Sequence, residues 1–205
     1  MTADPVSPLA AWTDRLTALA PALGVREVPF RSQLTVRVSN SGAIAAMGGA
    51  LGVVFPADAC TFTMDTGPFG AVEVLWLGPD EFLVVAGPDL QAVVEEVLRG
   101  ALGGERGSVV DTSAQRTTVE LEGPHVRDVL AHGCAVDLHP AAAPVGTCVQ
   151  TLLARTGVIL QVTGPDRVAL LVRSSFAGYL AAWLADACTE YLAVPFDGSG
   201  TVVFR

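Results

Sequence analysis

Three histidines, His125, His132 and His139, follow one another at intervals of seven, with Cys134 and Asp137 close by. Imidazole, thiolate and carboxylate are the groups that hold transition metals, but a helical metal site places its ligands three or four residues apart. Neither HxxxH nor HxH occurs in the chain. His125 falls where a helix should open, His132 where it should end, and His139 in the next segment, so caps and surface histidines are the expectation. A second group, Asp111-Thr112-Ser113 with Arg116, has the residue types that bind an anion. The same residues also make a Ser/Thr turn at a strand end, which is the preferred reading. Ser113, Ser174 and Ser175 lack the GxSxG elbow of a serine hydrolase. Gly48-Gly49-Ala50-Leu51-Gly52 lacks the GxGxxG spacing of a dinucleotide loop. Glu95-Glu96 and Glu120 with Glu122 fall on predicted solvent faces and read as solubility charges. Cys60, Cys134, Cys148 and Cys188 form no CxxC pair, so buried thiols acting as small hydrophobes are expected. No residue is therefore assigned a catalytic, cofactor-binding or metal-ligating role.

Composition narrows the function classes further. Of 205 residues, 51% are hydrophobic and 16% charged, against about 25% charged in an ordinary domain. The formal charge is -9, and all 12 basic residues are arginine. Without lysine there is no P-loop and no pyridoxal Schiff base. An acidic chain is a poor nucleic-acid binder. The longest apolar run, Ala43 to Phe55, holds 13 residues, short of the about 20 needed to span a membrane. A buried helix followed by a strand is expected there. The first residues show no basic segment followed by a long apolar one, so no signal peptide is expected and the cytosol is the default compartment.

The elements follow from periodicity. Leu9, Trp12, Leu16 and Leu19 suggest a short N-terminal helix that docks on a partner. Leu34, Val36 and Val38 alternate as a half-buried strand. Ser41 is placed to cap a helix through Ile44, Met47 and Leu51, and Val53 to Phe55 to start another strand. Ala71 to Leu77 and Phe82 to Ala86 read as strands joined by Gly78-Pro79-Asp80. Pro88 suits the first turn of a helix whose buried face is Leu90, Val93, Val94, Val97 and Leu98, closed by Gly100. Ala101 to Gly107 is a Gly-rich connector. Then come a strand at Thr118 to Glu122, a helix opened by Gly123-Pro124 and ended by Gly133, and strands at 149–153, 158–162 and 168–172. A last helix carries Phe176, Tyr179, Leu180, Trp183 and Leu184. Tyr191 to Arg205 reads as a tail with a late strand at Thr201 to Phe204.

This order repeats. Residues 78–98 align without a gap on 164–184, with Gly-Pro-Asp on Gly-Pro-Asp and one helix stripe on the other. Only four of these 21 positions are identical, so the signal is pattern rather than identity. Val36 and Val38 fall likewise on Val119 and Leu121. The expectation is an α+β fold of two pseudo-repeated β-α-β-β-α halves, about 30–100 and 108–188, with helices on one face of a mostly antiparallel sheet. Residues 1–190 are read as a single domain and 191–205 as a C-terminal tail.

Particular strings, taken in order, carry a resemblance. They are Ser7-Pro8-Leu9, Leu75-Trp76-Leu77-Gly78-Pro79-Asp80-Glu81-Phe82, Asp111-Thr112-Ser113 with Arg116, and Leu121-Glu122-Gly123-Pro124 with Arg127-Asp128-Val129-Leu130. They continue with Gly133-Cys134, Asp137-Leu138-His139-Pro140, Gln150-Thr151-Leu152, and Arg173-Ser174-Ser175-Phe176 with Tyr179-Leu180 and Trp183-Leu184. Across roughly residues 7–188 the chain resembles the gamma subunit of heterotetrameric sarcosine oxidase.

That resemblance implies a complex that oxidatively demethylates sarcosine to glycine, reduces oxygen to peroxide and passes a one-carbon unit to tetrahydrofolate. It implies alpha and beta subunits holding NAD, FAD, covalent FMN and the folate site, and a delta subunit holding zinc. For this chain it implies a non-catalytic structural role and a fold like the folate-binding aminomethyltransferase domain of glycine-cleavage T-protein. The catalytic Asp of T-protein has no motif-matched position here. The alternative is a stand-alone folate-binding or aminomethyltransferase-like protein, in which Arg116 and Arg173 are the first candidates to hold a glutamate tail, because arginine pairs with carboxylate in bidentate fashion. The low charge suits a subunit packed against other chains, with Trp12 and the N-terminal helix as the first candidate contact surface.

Overall fold

The computed structural model describes residues 5–20 and 22–192. The chain opens with a 3-10 turn, Ala10–Trp12, and a short helix α1, Thr13–Thr17. Two strands follow, β1 at Gly24–Val28 and β2 at Arg31–Val38. Helix α2, Ser41–Leu51, is capped by Asn40, whose side chain accepts from the Ala43 N–H at 3.0 Å. Ser41, expected as the cap, is the first helical residue instead. After α2 the chain turns at Gly52, whose φ of +74 is left-handed. Val53 to Phe55 then runs as coil rather than strand, with Val53 and Phe55 buried under the helix.

Strands β3, β4 and β5 are Phe62–Gly67, Gly70–Gly78 and Glu81–Pro88. Helix α3 is Gln91–Leu102. Pro88 ends the strand rather than opening the helix. Asp89 reverses the chain at φ 60, and Ser32 of β2 accepts from the Leu90 N–H at 2.9 Å, supplying the cap from outside the helix. Gly100 lies within α3, which closes at Gly103. The expected connector ends in a strand, β6, Gly107–Asp111. Then come β7 at Arg116–Glu122, α4 at Val126–Ala131, β8 at Cys148–Leu153, β9 at Thr156–Gly164, β10 at Arg167–Arg173 and α5 at Ala177–Ala187. Both Gly-Pro-Asp strings make the hairpin turns expected of them, pairing Gly78 with Glu81 and Gly164 with Arg167. The expected late strand at Thr201 to Phe204 lies outside the described residues.

The ten strands form two antiparallel five-stranded sheets, ordered β1-β7-β10-β9-β8 and β3-β4-β5-β2-β6. The second half supplies four strands of the first sheet, and the first half four of the second. The remaining strand of each sheet comes from the opposite half. β1 pairs with β7, Gly24 facing Glu122, and β6 pairs with β2, Gly107 facing Val38. The halves thus exchange their first strands.

Each sheet carries its helices on its outer face, and the two inner faces meet. Val119, Leu121, Leu160, Val162 and Leu170 pack under α1, α4 and α5. Leu34, Val36, Val74 and Val84 pack under α2 and α3. Between the sheets Leu75, Leu83 and Val85 meet Cys148, Ile159 and Leu171. Period-two alternation explains both, since successive residues of one strand serve opposite layers.

Two helix faces differ from expectation. In α5 the buried stripe is Ala177, Leu180, Ala181, Leu184 and Ala187, while Phe176 and Tyr179 are exposed. Small residues there bring the helix close to its neighbours, and Trp12 lies over Gly178. Leu9, Leu16 and Leu19 are buried in the same core. The N-terminal segment therefore packs Leu9, Leu16 and Leu19 against its own chain, with Trp12 partly buried. In α3, Val93 sits exposed at the rim of the stripe.

A polar group ties the inner faces together. Arg31 and Glu73 form an ion pair at 2.7 Å, only 14% and 13% exposed, and Gln161 of the other sheet donates to Glu73 at 3.1 Å. Replacing Glu73 with Ala leaves Arg31 buried without a counter-charge, at an expected cost of about 3 kcal/mol. The exchanged strand makes a second prediction. A Cβ on Gly107 would lie 2.5 Å from the Arg37 carbonyl oxygen. Gly107→Ala should cost about 2 kcal/mol, yet thermal unfolding should stay a single transition, because neither sheet is complete without the other half. Two resolved transitions by circular dichroism and calorimetry would refute the coupling.

Candidate functional site

Arg116 opens β7 and Arg173 ends β10, and the strand register sets them opposite one another. They lie 57 positions apart in the chain and are brought together only by this pairing. With Gln150, Thr151, Ile159 and Leu171 they line a cleft of about 160 Å³ at one end of the inter-sheet layer. Among the described residues no acidic side chain lines this cleft. Arg116 Nη1 is buried and has no hydrogen-bond partner among the described residues. Burial, and then the neighbouring Arg173 charge, lowers the Arg116 pKa from its ordinary value. Glu81 acts in the opposite sense, but it is already paired with Arg37 at 2.6 Å.

The Asp-Ser-Arg group expected from sequence divides in two. Asp111 Oδ1 accepts from the Ser113 N–H at 2.9 Å and from its hydroxyl at 2.6 Å, closing the turn between β6 and β7. Gln33 locks this crossing. Its N–H donates to Ser113 Oγ at 2.9 Å, and its side-chain amide donates to the Arg116 carbonyl at 3.0 Å. Asp111 and Ser113 are thus consumed as turn residues, and Arg116 is left to the cleft with Arg173. Ser174 donates to the Ala114 carbonyl at 3.1 Å.

The remaining sequence candidates are structural. Cys148 and Cys188 are buried, and burial raises their thiols to about 12 and about 11. Neither is a thiolate near neutral pH. Cys134 is half-buried, whereas Cys60 is exposed in the bend before Thr61, against the expectation of burial. Glu95 pairs with Arg99 at 2.7 Å, Glu122 with Arg167 at 2.6 Å, and Glu120 with Arg26. A larger cleft, about 430 Å³ between α2 and the β4–β5 turn, is lined by Ile44, Val54, Phe55, Trp76 and Phe82, and by no ionisable side chain among the described residues. Sequence reasoning missed the Arg31–Glu73–Gln161 group. Its one signal was a glutamate between Val72 and Val74 in an apolar strand.

The histidines meet Tyr191. His125 precedes α4 and His132 follows it, as expected, and the Tyr191 ring stacks on His125 with centroids 4.7 Å apart. His132 Nε2 lies 2.7 Å from Glu190 Oε1. His139 stays apart in its own turn, where Nδ1 accepts from the Ala141 N–H at 3.2 Å. Among the described residues no three His, Cys, Asp or Glu side chains are grouped to hold a metal. The cluster instead clasps Glu190 and Tyr191, the latter the first residue of the expected tail, onto α4. Hydrogen bonding from Tyr191, and then the His132 charge, lowers the Glu190 pKa. The Glu190 carboxylate in turn raises the Tyr191 phenol to about 12. The Glu190 contribution to the clasp is present above its ordinary range and lost as pH falls through the lowered value. The Tyr191 contribution is present below pH 10 and lost as pH rises toward about 12. Ultraviolet titration of a Tyr179→Phe variant should place the Tyr191 midpoint near 12, and a midpoint near 10 would contradict the clasp.

The comparisons agree with this fold and arrangement. The sarcosine oxidase, gamma subunit family model matches residues 37–190. Sarcosine oxidase subunit gamma of Corynebacterium sp. (strain U-96) is 40% identical over 173 residues, 84% of this chain and 82% of that one. The Arthrobacter sp. subunit gamma is 40% identical over 84% of this chain and 83% of its own. A chain of the heterotetrameric sarcosine oxidase from Corynebacterium sp. U-96, solved with pyrrole 2-carboxylate, superposes with a TM-score of 0.84 at 37% identity, over 94% of this chain and 98% of that one. The glycine cleavage system aminomethyltransferase T from Bartonella henselae superposes with a TM-score of 0.61 at 16% identity, over 82% of this chain and 48% of that one, a likeness of fold alone. With the exchanged strands, the two stacked sheets and the matched length in view, the chain belongs to the sarcosine oxidase gamma subunit family.

Proposed function

We propose that the chain is a non-catalytic structural subunit of a heterotetrameric sarcosine oxidase. The observation that carries this reading is the match to gamma subunits over most of both chains, with the same fold as a chain of a solved heterotetramer. It favours the subunit over a stand-alone folate-binding protein. The interior supports the same reading. Where the two sheets meet, Leu75, Leu83, Ile159 and Leu171 fill the space with apolar side chains. The buried thiols are held protonated, and His125 and His132 are engaged with Tyr191.

The partners in this proposal are alpha, beta and delta subunits. They carry NAD, FAD, FMN, the tetrahydrofolate site and zinc, and they perform the demethylation of sarcosine to glycine. Residues 1–190 act as one domain in this role. The compartment is the cytosol, consistent with four free cysteines. Among the described residues no helix is long and apolar enough to cross a membrane.

Purification tests the proposal. A tagged full-length chain expressed in its native host should bring down three other chains, with the flavin absorbance and sarcosine turnover residing in the assembly. The same chain purified alone should be colourless and should not oxidise sarcosine. Turnover by the isolated chain would overturn the proposal, as would a failure to recover partner chains.

A further inference from the structure

In a chain of net charge -9, acidic side chains outnumber basic ones, and five arginines are paired with them. Arg26, Arg31, Arg37, Arg99 and Arg167 each touch a carboxylate. Arg127 is spent on the carbonyls of Pro165, Leu138 and Ala143. Among the described residues Arg15, Arg106, Arg116, Arg155 and Arg173 form no such pair, and of these Arg116 and Arg173 are set against each other. They stand directly opposite each other on neighbouring strands, where like charges repel. Among the described residues no acid lines the cleft they share, and one buried nitrogen of Arg116 has no partner. An unpaired buried donor on a charged group is costly. That cost is offset if an anion from outside the chain sits between the two guanidinium groups.

The geometry points to a carboxylate-binding site formed by Arg116 and Arg173. Two guanidinium forks facing one small space match the two oxygens of a carboxylate. Gln150 and Thr151 add polar groups at the wall, and Ile159 and Leu171 form an apolar floor. Such a floor suits the short carbon chain of an organic acid and offers nothing to inorganic phosphate. Arg173 is exposed at the mouth and Arg116 half-buried below it, so the site opens to solvent. The inference rests on this chain alone, independently of the assembly proposed above. The carboxylate is either that of a small free acid or that of an Asp or Glu side chain on a bound protein.

Nuclear magnetic resonance of the arginine side chains in the isolated full-length protein tests it, with propionate as the probe. Propionate should shift the Arg116 and Arg173 Nε–H signals saturably, while chloride at equal ionic strength should not. Arg173→Gln and Arg116→Gln should each weaken propionate binding about tenfold or more. Arg173→Lys should retain part of it, with the unchanged backbone spectrum reporting that each variant is folded. Absence of saturation, equal saturation by phosphate, or unchanged affinity in both glutamine variants would overturn the site. Given binding, the source is read from the assembly. If Arg173→Gln also weakens recovery of partner chains, the carboxylate belongs to a partner. If assembly is unchanged, it belongs to a small free acid.

Discussion

Neither half closes its own sheet, because the two halves exchange their first strands. β1 leaves the first half to become an edge of the second half's sheet, and β6 leaves the second half to become an edge of the first. Two crossings result, one between Val28 and Arg31 and the other between Asp111 and Arg116. Both are fastened by side chains. Glu27 accepts from Thr117 at 2.6 Å and from Ser7, and Gln33 holds the second crossing through Ser113 and Arg116. With the crossings fixed, the inner faces stack, and Arg31, Glu73 and Gln161 find one another. The same crossing sets Arg116 at the start of β7, in register with Arg173.

Much of each half was legible because it rests on local pattern. The alternation in β2 and β4, the two Gly-Pro-Asp turns and the stripe of α3 are properties of short windows. The exchanged strands were not legible in that way. β1 and β6 are five residues each, and β6 buries a single side chain completely. Their partners lie far along the chain. A signal did exist, since the offset that carries Val36 onto Val119 also carries Gly24 onto Gly107. Val53 to Phe55 misled because burial under α2 gives a coil the composition of a strand. The stripe of α5 misled because Phe176 and Tyr179 point outward while alanines join Leu180 and Leu184 in the close contact. Of the candidate groups, the turn at Asp111 to Ser113 was readable from residue type. The Arg116–Arg173 pair required the register, which no local spacing encodes.

The absence of lysine gains meaning beside this architecture. Where the chain needs a cation in a confined place, a planar fork is the better fit. Arg31 serves Glu73 between the sheets, and Arg127 reaches two carbonyls in the loop before β8 and one in the β9–β10 turn. Surface pairs such as Arg167–Glu122 contribute little to stability, so the value of arginine lies in these interior positions. The low charge of the whole chain matches the three apolar clusters that fill the space between its layers.

The strand exchange also governs the order in which the molecule can be made. Gly24 and its partner Glu122 are separated by 98 positions. At a synthesis rate of about 5–20 residues per second, β1 waits roughly 5–20 s for β7 to follow it out of the ribosome. Meanwhile β2 to β6 emerge and close the second sheet around a strand contributed from beyond their own half. The earliest strand is thus among the later ones to be paired. A single half expressed by itself would face the same wait without end, unless a second copy lent it the missing strand. Two such copies, each lending its first strand, would reproduce this chain's architecture as a domain-swapped homodimer.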